Sequence, residues 1–194
     1  MVAYTVSHRT YTEKGRFQGI NMGMGTLLLI DWQNNDYLNG DATHSDPVIL
    51  NGVHLLEQWR SQTQHIVHVL TDCAKIWDSN AWLRQRFKME SPIVDNSILP
   101  GFTPLEKETL IWKPHRSAFF NTRLEEILPH GQKIYCTGAA TTGCVLATAI
   151  HGDALGYEMH FVEDCIFDKD QRRHSMGMDI LKKFGRITHS KDLL

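Results

Sequence analysis

No Gly-x-Gly-x-x-Gly and no P-loop occurs in this chain, so no phosphate-cradling loop implies a dinucleotide or ATP, and no cofactor is indicated. Excess charge is also missing. Lys and Arg number 20 against 22 Asp and Glu, a formal net of −2, which gives nucleic acid nothing to bind. Apolar runs such as Leu27–Ile30 are far too short to cross a bilayer, so no membrane partner is expected. No charged-then-apolar leader opens the sequence. The four cysteines, Cys73, Cys136, Cys144 and Cys165, follow neither a disulfide framework nor zinc-ligand spacing. A cytoplasmic, reducing location is the expectation. The 194 residues suit one domain with a sheet covered on both faces.

What is present centres on Thr137-Gly-Ala-Ala-Thr-Thr-Gly-Cys144-Val. A β-rich run, Lys133-Ile-Tyr-Cys-Thr137, precedes it and a helix-compatible run, Val145-Leu-Ala-Thr-Ala-Ile150, follows. Cys144 is thereby placed at a helix start, where unpaired N–H groups and the helix dipole favour an anion. The expectation is an exposed sulfur with a lowered thiol pKa, as a nucleophile requires. Gly25-Thr-Leu-Leu-Leu-Ile30 reads as a strand buried on both faces and ends in Asp31. Thr109-Leu-Ile-Trp112 reads as another strand and ends in Lys113. Three strand ends therefore offer a carboxylate, an ammonium and a thiol. The carboxylate can take the thiol proton, the ammonium stabilises both anions, and the thiolate attacks.

The rest of the chain alternates strands with helices, which predicts a parallel sheet with helices on both faces, an α/β/α sandwich. Helices are expected at Pro47–Gln62, near Trp82–Phe87, at Asn121–Leu128, within 143–155 and at Asp170–Phe184. The last of these places Met176, Ile180, Leu181 and Phe184 on one face. His65–Leu70, 157–163 and Arg186–His189 read as further strands. Residues 1–24 lack a period and read as an arm on a 25–194 domain. Cys136 lies inside a strand and suits the core, whereas Cys73 and Cys165 follow strand-like runs and can approach a pocket. Trp112 should face away from Lys113 and be structural, since neighbours on a strand alternate.

Four segments taken together resemble the isochorismatase-like cysteine hydrolases, the superfamily of nicotinamidases and N-carbamoylsarcosine amidase. They are Leu29-Ile-Asp31-Trp-Gln-Asn34, Lys113-Pro-His-Arg-Ser-Ala-Phe-Phe-Asn-Thr122, the cysteine segment, and Gly156-Tyr-Glu-Met-His-Phe-Val-Glu-Asp164 with His174 beyond it. They occur in the family's order over roughly residues 25 to 190. The loop Asn34-Asn35-Asp36-Tyr37 is one residue longer than the family's usual pattern. The resemblance implies a six-stranded parallel sheet of order 3-2-1-4-5-6 and a catalytic triad of Asp31, Lys113 and Cys144. It also implies a cis peptide between Ala139 and Ala140, so that the N–H groups of Ala140 and Cys144 form an oxyanion hole. Trp32 and Phe119 become candidate substrate neighbours.

Metal-dependent nicotinamidases carry Asp-x-His after their second strand. Here Asp72 is followed by Cys73-Ala74, and the eleven histidines show no ligand spacing, so no metal is expected. The expected chemistry is hydrolysis of a C–N bond in a small amide or carbamoyl compound through a thioester-type intermediate. Two alternatives remain open: a vinyl-ether hydrolase of the isochorismatase type, and a catalytically silent binding subunit. Family members are usually homo-oligomers, which makes a dimer or tetramer the expectation. Substrate choice is assigned to residues 32–46 and 72–108.

Overall fold

A central strand buried on both faces organises the molecule. Leu27 and Leu29 point to one face of the sheet and Leu28 and Ile30 to the other, and each is at most 1% exposed. The computed structural model describes residues 21–33, 47–79, 81–86 and 97–193. Six strands form one sheet: β1 (Asn21–Ile30), β2 (Gln64–Thr71), β3 (Thr109–Lys113), β4 (Lys133–Ala139), β5 (Glu158–Phe167) and β6 (Arg186–Thr188). All pairings are parallel and the order is β3-β2-β1-β4-β5-β6. The chain thus winds outward from β1 in both directions, leaving a switch point between β1 and β4.

One face is covered by α1 (Pro47–Ser61), whose Ile49, Leu55, Leu56 and Trp59 meet Leu27, Leu29, Ile66 and Tyr135. Pro47 opens this helix, where its missing N–H leaves no bond unmade. The other face is covered by α5 (Leu146–Ala154) and α6 (Gln171–Leu181), which bring Ala149, Met178 and Leu181 against Leu28, Ile30, Cys136 and Phe161. Leu124 of the short α4 (Leu124–Ile127) joins the same face. Between β2 and β3 lie α2 (Cys73–Ser79) and α3 (Ala81–Arg86).

Several expectations are corrected. β1 begins at Asn21, four residues ahead of the strand start expected at Gly25. β5 runs to Phe167 because extra residues are accommodated between the partners of Cys136 and Gly138, which places Cys165 inside the strand and buried. α4 is a single turn, since Asn121 adopts a left-handed φ of 57° and cannot begin a helix. α6 begins after Asp170, whose carboxylate caps it by accepting from the Arg173 N–H at 2.9 Å. Its buried stripe is Gly177, Met178 and Leu181, while Met176 and Ile180 face outward. Trp112 does point away from Lys113, yet it is 41% exposed on the edge strand and not part of the core. Residues 1–20, the loop at Asn34–Tyr37 and residues 87–96 lie outside the described residues.

Candidate active site

Four neighbouring strands, β3-β2-β1-β4, each deliver one polar group at their carboxyl ends. Lys113 closes β3, Thr71 closes β2, Asp31 follows β1, and Cys144 sits in the turn after β4. Register brings the first two side by side, since Thr71 pairs with Lys113. It brings the last two together as well. Ile30 pairs with Gly138, which has a φ of +106° and where a Cβ would run into the Ile30 carbonyl. Only glycine permits that close approach. Asp31 itself holds a left-handed φ of 54°, its N–H donating to the Val69 carbonyl at 2.9 Å.

The ammonium of Lys113 is wholly buried and its three protons face three acceptors: Thr71 Oγ1 at 2.5 Å, Asp31 Oδ2 at 2.8 Å and Cys144 Sγ at 3.3 Å. Thr71 in turn donates its hydroxyl to Asp31 Oδ1 at 2.8 Å. Burial by itself disfavours the lysine's charge, but the Asp31 carboxylate and hydrogen bonds to Asp31 and Cys144 overcome it, and its pKa is raised. The Asp31–Lys113–Cys144 cluster is the one the sequence predicts. Thr71 is the member of the cluster that the sequence does not reveal, because Asp31 and Lys113 lie 40 and 42 residues from it along the chain.

The thiol departs from expectation. Burial, and then the charge of Asp31, push Cys144 up to about 12 in spite of the Lys113 ammonium. The sulfur-bearing residue is only 6% exposed. The segment that carries Cys144 is also not a plain α-helical turn. Thr141–Val145 forms a π-type turn in which the Val145 N–H reaches the Ala140 carbonyl at 3.2 Å. A carboxylate already occupies its leading edge: Asp168 Oδ2 accepts from the Thr142 N–H at 2.8 Å and from its hydroxyl at 2.7 Å. His174 shares a 2.9 Å hydrogen bond with the Thr141 hydroxyl, and Gly177 lets α6 close on the Thr141 methyl. The Ala139–Ala140 peptide is cis, as the resemblance implies.

Of the other candidates, Trp32 is placed in the core. It is fully buried, stacked on Phe102 at 4.0 Å, in contact range of Gly52, and its indole N–H donates to Thr137 Oγ1 at 3.1 Å. Phe119 shares the core cluster of Cys144 and stacks on Tyr157 at 5.3 Å. Cys73 begins α2 with its thiol directed at the Thr71 carbonyl, 3.8 Å away, whereas Cys165 packs in the Trp32 cluster on the opposite face from Cys144. His65 bonds to Thr26 and His68 to Glu108, on opposite faces of β2. Among the described residues no group of three or more His, Cys, Asp or Glu could hold a metal ion.

A parallel 3-2-1-4-5-6 sheet carrying a thiol, an ammonium and a carboxylate at its switch point has the architecture of an isochorismatase-like α/β hydrolase. The chain belongs to the isochorismatase family: the isochorismatase domain matches residues 26–192. It is 24% identical to a maleamate amidohydrolase of Pseudomonas putida, with 93% of each chain covered. It is 30% identical to a secreted isochorismatase effector of Verticillium dahliae, over 86% of this chain and 88% of that one. Among solved structures it resembles N-carbamoylsarcosine amidase from Thermoplasma acidophilum, with a TM-score of 0.65, 18% identity, and coverage of 85% of this chain and 95% of that one.

Proposed function

We propose that this isochorismatase-family hydrolase cleaves a C–N bond in a small amide or carbamoyl compound, with Cys144 as nucleophile, Asp31 as proton acceptor and donor, and Lys113 as the fixed positive charge. The observation that carries the reading is the buried contact of Lys113 with both Asp31 and Cys144. A relative named as a maleamate amidohydrolase and a fold neighbour named as an N-carbamoylsarcosine amidase support the bond class.

The raised thiol defines the first step. Sulfur at rest holds its proton, so attack needs a base in contact, and Asp31 is hydrogen-bonded to Cys144. The S–H proton moves to the Asp31 carboxylate as sulfur bonds to the substrate carbonyl carbon. The developing oxyanion is received by the N–H groups of Ala140 and Cys144. Asp31 returns the proton to the departing nitrogen, and the C–N bond breaks to leave a thioester. A water then gives a proton to Asp31 and its oxygen to the acyl carbon. Release of the acid restores the thiol. Phe119 is carried forward as an apolar wall that limits water near these charges.

Cys144→Ala is expected to fold like the parent and to lose hydrolysis of a panel of small amides, ureas and carbamoyl amino acids, read as released ammonia. Rapid quenching during turnover should show an acyl adduct on Cys144 by intact mass. Full activity in Cys144→Ala overturns the proposal. Turnover without an adduct leaves open the vinyl-ether reading, in which an acid protonates carbon and no cysteine is needed.

A further inference from the structure

We infer that Thr71 is a positioning residue of this site, its hydroxyl fixing which oxygen of Asp31 takes the Cys144 proton. The inference rests on Asp31 acting as the base. A hydroxyl has one proton to give and two lone pairs to receive with, whereas an ammonium only donates and a carboxylate only accepts. Lys113 Nζ lies 2.5 Å from Thr71 Oγ1, so that oxygen accepts from lysine. The single hydroxyl proton is left for Asp31 Oδ1 at 2.8 Å. No other assignment satisfies all three groups.

The consequence is a division of labour within one carboxylate. Oδ1 is committed to Thr71, and Oδ2, 2.8 Å from Lys113, remains to receive the thiol proton. In that step the S–H bond breaks, the electron pair stays on sulfur, an O–H bond forms on Oδ2, and Thr71 keeps its own proton. Thr71 is in turn held on both backbone atoms by Gln33, whose Oε1 accepts from the Thr71 N–H at 2.8 Å and whose Nε2 donates to its carbonyl at 3.2 Å. Thr71 is 1% exposed, so the surrounding side chains hold its hydroxyl in place. The segment following Asp31 thereby locks the end of β2 to the end of β1.

Thr71→Val removes the hydroxyl while keeping the branched shape, and Thr71→Ser keeps the hydroxyl. The readout is the rate of alkylation of Cys144 by iodoacetamide at pH 7, followed by intact mass, with Cys144→Ala identifying the adduct. A buried thiol that holds its proton reacts at neutral pH by passing that proton to Asp31. In Thr71→Val the rate should drop by about tenfold, because the carboxylate has lost the donor that orients it. Thr71→Ser should keep the wild-type rate. A folded Thr71→Val alkylated at the wild-type rate overturns the inference alone, as does a folded Thr71→Ser that behaves like valine. A folded Asp31→Asn alkylated at the wild-type rate overturns the role of Asp31 as base, and this inference with it. If Thr71→Val does not fold, Thr71→Ala is read against the same outcomes.

Discussion

Lys113 shows at the scale of one residue how the site and the fold depend on each other. Its ammonium has no exposure and neither has Asp31, so each is the other's counter-charge below the surface. Removing one partner of such a pair leaves a buried charge uncompensated. Lys113→Met, which keeps the length of the stem, is therefore expected to destabilise the protein by about 3–5 kcal/mol, measured by urea unfolding near neutral pH. It should also abolish hydrolysis, because sulfur and carboxylate would lose the charge that both face. A Lys113→Met protein as stable as the parent would refute the stabilising role of the Lys113–Asp31 pair. Cys144 makes the complementary point. Its position at a helix start suggests an activated thiolate, yet burial and a neighbouring carboxylate keep the proton on sulfur.

At the scale of elements, the separation of Asp31 from the cysteine turn is governed by how closely β1 and β4 approach at their carboxyl ends. Gly138 is the point of contact. A methyl there meets the Ile30 carbonyl, and its φ of +106° is one that side-chain-bearing residues rarely adopt. Gly138→Ala is expected to destabilise by about 2–4 kcal/mol and to lower activity, since relief of the clash must part the two strands. Gly131 provides the control. Its φ is also positive, at +73°, but nothing lies within 4 Å of an added Cβ. Gly131→Ala should cost about 1 kcal/mol and leave activity unchanged. Thermal melts of the two variants beside the parent test the contrast, and equal losses would refute it. The cysteine turn is braced from its other side by Asp168 and His174, so Cys144 is located by β4, the end of β5 and α6 together.

For the whole molecule, an electrostatic tie that joins three segments lies away from the site. Glu108, just ahead of β3, accepts from Arg60 of α1 at 2.6 and 2.9 Å and bonds to His68 of β2 at 2.7 Å. Burial alone would raise its pKa, but the Arg60 and His68 hydrogen bonds outweigh that and lower it from 4.5 to about 2. A carboxylate depressed in the folded state stabilises it above the unfolded value, and that contribution is lost as pH falls through the folded value. Between pH 4.5 and about 2 the protein should therefore lose stability of the order of 2–3 kcal/mol from this group. Glu108→Gln should be less stable than the parent near pH 6, with the gap closing toward pH 2, as read by urea unfolding at each pH. A gap that stays constant across that range would remove Glu108 as its cause. Among the described residues no helix is long and apolar enough to cross a membrane.

By itself the sequence determined the alternation of strands and helices, the residues Asp31, Lys113 and Cys144, and the family to which their segments are similar. These are local properties: apolar runs between polar turns, a chemical group at each run's end, and small residues ahead of the cysteine. The strand order came from the resemblance, because periodicity says nothing about which strands are neighbours. Tertiary structure alone decided what depends on groups far apart in the chain. Thr71 meets Asp31 across 40 residues and Lys113 across 42, so no local pattern marks its hydroxyl as part of the site. Trp32 follows Asp31 in sequence, but α1 and Phe102 close over its ring and place it in the core. The protonation of Cys144 was decided in the same way, since burial and a neighbouring charge act through space while the helix start acts only along the chain.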